Sequence, residues 1–185
     1  MLDPIDGTAN FVKDSPLCGI SLALLEDGRP TLALIELPFL GESYVAQEGL
    51  GAFLNGQRIS VSEVGGLDEA MVGLADFSVG DAATDENRIH LELLRRLAVS
   101  ALRVRVHGSA ALDLAWLAAG RLNATVMLSN LAWDVSAGVL LVREAGGAAY
   151  DVDGSPHTPR SRFTLASSQG LVEPLVRLVR EAARS

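Results

Sequence analysis

Asn123-Ala124-Thr125-Val126-Met127-Leu128 passes through Ser129-Asn130-Leu131-Ala132-Trp133 into Asp134-Val135-Ser136-Ala137-Gly138-Val139-Leu140-Leu141. The first run is too short for a helix and reads as a buried strand. The last carries helical spacing from Asp134 to Ala145, where Gly146-Gly147 ends it. The same alternation extends outward. Upstream, Met71–Ala75 reads as a strand, and Asp85–Ser100 as a helix with Ile89, Leu93, Leu94 and Leu97 on one face. Arg103–Val106 follows as a strand, then Ser109–Ala119 as a helix ended by Gly120. Downstream, Ala148–Val152 and Phe163–Ala166 read as strands and Leu171–Ala183 as a helix.

Residues 1–66 have a different texture. Cys18–Leu25 and Thr31–Leu37 are apolar runs separated by Glu26-Asp27-Gly28-Arg29, whose Asp-Gly pair signals a β-hairpin. Glu42–Glu48 alternates as a third strand. Gly49-Leu50-Gly51, Asn55-Gly56 and the segment Met1–Thr8 read as turns. Strands first, then alternating strands and helices, predict an α/β (α+β) layered sandwich with helices packed over sheets. The chain reads as one unit, β-rich over 1–66 and α/β over 67–185.

Composition narrows the function. The 185 residues are 49% hydrophobic and 21% charged, the balance of a folded domain with a sizeable core. No apolar run approaches the roughly 18 residues that a membrane-spanning helix needs. Residues 1–10 hold an acidic turn sequence where a secretory leader would be basic and then apolar. Cys18 is the only cysteine, which excludes an internal disulfide and suits a reducing, cytoplasmic setting. The net charge of −8 argues against nonspecific nucleic-acid binding. An anionic substrate would need something locally positive to receive it, and a bound divalent cation would serve.

Three features carry candidate chemistry. In Asp3-Pro4-Ile5-Asp6-Gly7-Thr8, two carboxylates stand three residues apart on a stretch that Pro4 stiffens and Gly7 turns. Such a pair repels itself unless a cation sits between, and hard cations such as Mg²⁺ take oxygen ligands of this kind. The same residues also make an ordinary acidic turn. Trp133-Asp134 opens an apolar helix, where Asp134 is either a ligand or an N-cap. His107-Gly108-Ser109-Ala110 joins a strand to a helix, where free amides attract an anion or Ser109 caps the helix. His107 reads as a polar neighbour of that turn, and His90 and His157 have no acids at ligand spacing.

Taken together, Asp-Pro-Ile-Asp-Gly-Thr at 3–8, Gly-Ser-Ala at 108–110 and Trp-Asp-x-x-Ala-Gly at 133–138 resemble the inositol-monophosphatase family of sugar and polyol phosphatases. The resemblance implies a layered sugar-phosphatase fold and Mg²⁺-dependent hydrolysis of a small phosphorylated metabolite by metal-activated water. It implies Asp3, the Ile5 carbonyl, Asp6 and Asp134 as metal ligands, and Thr8 and Asp6 as catalytic residues. It further implies Asp6, Gly7, Thr8, Gly108, Ser109, Ala110 and Asp134 around the substrate. The family often forms homodimers. The haloacid-dehalogenase phosphatases are excluded, because they place one residue between their aspartates and need a later lysine. Here two residues intervene, and Lys13 is the last lysine.

The resemblance also implies parts that lie upstream of Met1: a metal-binding glutamate, and helices that cover one sheet face. The expectation is therefore a start assigned too late or a truncated gene, with apolar sheet surface left exposed. In inositol-specific relatives an acid stands seven residues before the second-motif aspartate. Met127 holds that position here, and a thioether accepts hydrogen bonds poorly. Ser129 and Asn130 are the nearby polar substitutes. A phospho-metabolite-binding relic of the family is the alternative reading.

Overall fold

Asp27 and Gly28 both take positive φ, 48° and 77°, so β2 (Gly19–Glu26) reverses at once into β3 (Arg29–Leu37). Asn55-Gly56 repeats the device, with φ of 48° and 78°, between β5 (Gly51–Leu54) and β6 (Gln57–Ile59). With β4 (Glu42–Gln47) and β1 (Leu2–Asp6) these strands form an antiparallel sheet in the order β1-β2-β3-β4-β5-β6. This computed structural model describes residues 1–80 and 83–184, without the side chains of residues 85 and 86.

Two sequence expectations change here. Within Met1–Thr8, read as a turn region, Leu2–Asp6 is a strand. β1 pairs with β2 through a bulge between Asp3 and Asp6, and only then turns at Gly7. The pairing partner lies beyond the local sequence, so the Asp, Pro and Gly composition pointed to a turn. The residues around Asn55-Gly56, read only as turn signals, also carry two paired strands.

The second sheet runs β10-β11-β9-β7-β8. Its members are β7 (Met71–Leu74), β8 (Arg103–Arg105), β9 (Ala124–Met127), β10 (Ala148–Tyr150) and β11 (Thr164–Ser167). β7 is parallel to β8 and β9, while β11 pairs antiparallel to β9 and β10. The longer helices are α2 (Ala83–Ser100), α3 (Ala110–Ala118), α4 (Ala132–Glu144) and α5 (Val172–Ala183), and α1 (Thr8–Val12) is a single short turn.

The layers follow from the two cores. α3 and α4 pack between the sheets, where Ile35, Leu37 and Tyr44 meet Leu112, Leu114, Val135 and Leu141. α2 and α5 cover the other face of the second sheet, where Leu93, Leu97, Leu175 and Val179 meet Val72, Leu74, Val126 and Leu165. The sandwich expected from the sequence is thus present. Gly138 lets the two middle helices approach closely: a Cβ there would lie 2.5 Å from Leu114 Cβ.

Among the described residues, no layer covers the outer face of the first sheet. Along β2, small buried residues alternate with Ile20, Leu22 and Leu24, which are 40%, 40% and 53% exposed. Across the strands Leu2, Leu22, Leu34, Val45 and Phe53 stand opposite one another in register. The result is an apolar ladder on the side of the sheet away from α4.

Candidate active site

The site begins where β1 ends. Gly7 adopts φ 79° and ψ 42°, and a Cβ there would meet the Leu17 and Gly108 carbonyls and Ser109 Cβ at 3.0–3.1 Å. Only glycine makes that left-handed turn without strain in so little space. The turn places Asp6 inward, 6% exposed, and starts α1 at Thr8. The Thr8 hydroxyl donates to the Ile5 carbonyl at 2.9 Å, and the Ile5 N–H donates to Asp3 Oδ1 at 3.1 Å.

Asp6 is held from the far side of the sequence. Its Oδ2 accepts from the Ser109 hydroxyl and from the Ala111 N–H at 3.0 Å. The same Ser109 oxygen accepts from the Leu112 N–H at 3.2 Å and so caps α3. One hydroxyl therefore both caps the helix and bonds Asp6. Burial, with the Asp3 and Asp134 charges behind it, pushes the Asp6 carboxyl up to about 6 despite these bonds.

Asp134 enters from α4. The helix begins two residues earlier than expected, so Asp134 lies in its first turn rather than at the cap, and its Oδ2 accepts the Leu131 N–H at 2.8 Å. Burial, and then the Asp3 charge, raise its carboxyl as well. Asp3, Asp6 and Asp134 thus feel one another's charge, which places the two acidic motifs in one neighbourhood although they are far apart in sequence.

The donors fit a hard cation. Asp3, Asp6 and Asp134 are each tied by one oxygen and keep the other without a protein hydrogen bond among the described residues. The Ile5 carbonyl keeps a second lone pair beyond its bond from Thr8. Oxygen donors with net negative charge are what Mg²⁺ selects. Among the described residues no three His, Cys, Asp or Glu side chains close on one point as a ready-made cage.

The His107-Gly108-Ser109 turn is fixed on several sides. His107 Nδ1 lies 2.5 Å from Asp113 Oδ1, and its ring meets Trp116 edge-on at 5.1 Å. Gly108 has φ 76°, and a Cβ would lie 2.9 Å from Asp76 Oδ2. His107 is thus a neighbour of the turn, as its sequence position suggested. His157 bonds Thr164 Oγ1 at 2.9 Å inside the core.

Met127 is 2% exposed, in the core between the sheets. A buried thioether there offers no acid to a substrate hydroxyl. Asn130 is also occupied, accepting from Thr164 Oγ1 at 2.8 Å and donating to the Ser161 carbonyl at 3.2 Å. Ser129 is exposed and borders a cleft of about 650 Å³ lined by residues of α2 and α5. None of the predicted site residues lines that cleft.

The inositol monophosphatase family profile matches residues 1–184. The chain belongs to this family. It is 36% identical over 184 residues to the inositol-1-monophosphatase ImpA of Mycolicibacterium smegmatis, covering 100% of the chain and 67% of that protein. It is 38% identical over 181 residues to a Thermotoga maritima fructose-1,6-bisphosphatase/inositol-1-monophosphatase, covering 98% of the chain and 67% of that protein. The solved structure of a Thermotoga maritima IMPase superposes with a TM-score of 0.91 at 36% identity, over 99% of this chain and 68% of that one. This inositol monophosphatase homologue therefore spans about two thirds of the length of these relatives. No described helix is long and apolar enough to cross a membrane.

Sequence reasoning found the acids but missed the Ala111 amide, which bonds Asp6, and Asn10 and Asp113, which bond His107. Only Asn10 left a signal, as a carboxamide three residues past a glycine turn with no apolar periodicity to serve.

Proposed function

We propose that this chain carries the site of a Mg²⁺-dependent phosphate-monoester hydrolase acting on a small polyol or sugar phosphate. The observation that carries the reading is that β1 and α4 bring Asp3, Asp6 and Asp134 near enough to act on one another's charge, and that burial first, then the Asp3 and Asp134 charges, push Asp6 up to about 6. Asp3, the Ile5 carbonyl, Asp6 and Asp134 would hold the ion. When bound, Mg²⁺ lowers the pKa of water and neutralises charge on the attacking and leaving oxygens.

The chain's own residues supply the rest. The Thr8 proton is committed to the Ile5 carbonyl, so the hydroxyl's lone pairs remain to accept an O–H from the attacking water and orient it. The Gly7 and Thr8 amides would receive phosphate oxygens beside it. Ser109 is spent on Asp6 and on its own helix. Contact with the substrate from that turn would therefore come from the backbone of Gly108 to Ala110. The substrates in the relatives' names, an inositol monophosphate and fructose 1,6-bisphosphate, are the first candidates.

A second reading, binding without turnover, is favoured by the absence of a three-ligand cage among the described residues. Mg²⁺-dependent phosphate release by the 185-residue chain, with Asp134→Asn as control, separates the two. Release that the control loses supports the hydrolase. A folded chain that binds the phosphorylated compound without cleaving it supports the second reading, and one that does neither refutes both.

A further inference from the structure

We propose that Asn10 is the positioning residue that joins the two halves of the site, locking the His107-Gly108-Ser109 turn where Ser109 and Ala111 grip Asp6. The metal role of Asp6 rests on the reading above; the clamp itself does not. The single amide nitrogen of Asn10 donates to the Leu17 carbonyl at 2.8 Å and to the His107 carbonyl at 2.7 Å. Both hydrogens of the NH₂ group are used, and no other side chain of this size offers two N–H donors on one atom.

Asn10 is itself fixed. Its carbonyl accepts from the Lys13 and Ser15 N–H groups at 3.0 and 2.9 Å, which closes α1 beneath it. Its nitrogen would lie 3.1 Å from a Cβ on Gly108, so carboxamide and turn are in direct contact. From the opposite side Asp113 on α3 takes the His107 ring. The turn is thus gripped by its carbonyl from α1 and by its side chain from α3. Two residues on from His107 stands Ser109, whose hydroxyl reaches Asp6. α1 also carries Thr8, so one carboxamide sets the spacing between Thr8 and the donors on Asp6.

The test uses the 185-residue chain, Asn10→Ala, the milder Asn10→Ser that keeps one donor, Ser109→Ala, and Asn10→Ala combined with Ser109→Ala. Hydrogen exchange at the Ala111 amide reads the clamp without any metal. It should speed up about tenfold or more in Asn10→Ala and less in Asn10→Ser, in variants that still melt cooperatively. Mn²⁺ affinity, with the ion alone as probe, should fall about tenfold, the scale of lost support behind a ligand. The double variant should lose less than the sum of the two single losses, because Asn10 acts on Asp6 through the turn that carries Ser109 and Ala111. Unchanged Ala111 exchange, or additive losses in the double variant, would overturn the proposal. A parent chain that binds no Mn²⁺ would instead sink the metal reading and leave the exchange result to decide the clamp.

Discussion

Ser109 Oγ donates to Asp6 Oδ2 while accepting from the Leu112 N–H at 3.2 Å, so one hydroxyl both starts a helix and holds a site carboxylate 103 residues away. Ser109→Ala removes both bonds and leaves the buried Asp6 with the Ala111 amide alone. The expected loss is about 2–3 kcal/mol, combining a lost N-cap with an under-satisfied buried acceptor. Urea unfolding at neutral pH measures it, and a loss near zero would show that water replaces the hydroxyl at both bonds.

Asp6 itself costs the metal-free fold stability. Its folded value of about 6 lies above the ordinary 3.8, so the protonated form stabilises the fold below about pH 4. That stability is lost as the pH rises through 6, and at pH 7 the ionised group costs about 3 kcal/mol. Asp6→Asn, whose amide carbonyl can still accept from Ser109 and Ala111, should melt higher than the parent in chelator at pH 7. It should also release no phosphate. A variant that melts lower would mean that the charge is already compensated.

His157 acts in the opposite direction. Burial first, and then Arg143, hold it down at about 4, while Thr164 bonds its Nε2. A His whose folded value lies below the unfolded 6.5 favours the fold above 6.5, and that advantage is lost as the pH falls toward 4. The loss is about 3 kcal/mol across that window. His157→Gln should flatten the acid limb of the stability curve relative to the parent. Parallel limbs in the two proteins would refute the assignment.

The apolar ladder on the first sheet predicts association. Exposed apolar patches of this kind drive self-contact, and β2 presents Leu22 and Leu24 directly. Replacing both by threonine keeps strand propensity and removes most of that surface. In sedimentation velocity the parent should show mass growing with concentration and the double variant a constant monomer. If both behave alike, the ladder is not the contact surface.

The sequence revealed the layers because most elements declare themselves locally. Asp27-Gly28 requires a tight reversal, and the α2 and α4 apolar spacings require helices. What it hid was pairing at a distance. β1 looked like a turn because Asp3, Pro4 and Asp6 disfavour strands, and β2 overrides that preference through a bulge. The acids were legible as types in a pattern. Their support was not, since the donors to Asp6 and the acceptors of Asn10 include backbone atoms, which carry no residue signature. The burial of Met127 was hidden for a related reason: a strand position says which faces exist, not which one is buried.

The distance in sequence between Asp6 and Ser109 has a kinetic consequence. Loops that long close late, after local hairpins and helices have formed. The first sheet can register through its two-residue turns while α3 is still unplaced, so the site is among the last parts of the molecule to exist. Ion uptake during refolding should therefore lag the recovery of helical signal, and a chain stalled before that closure would look folded by its backbone while holding no competent centre.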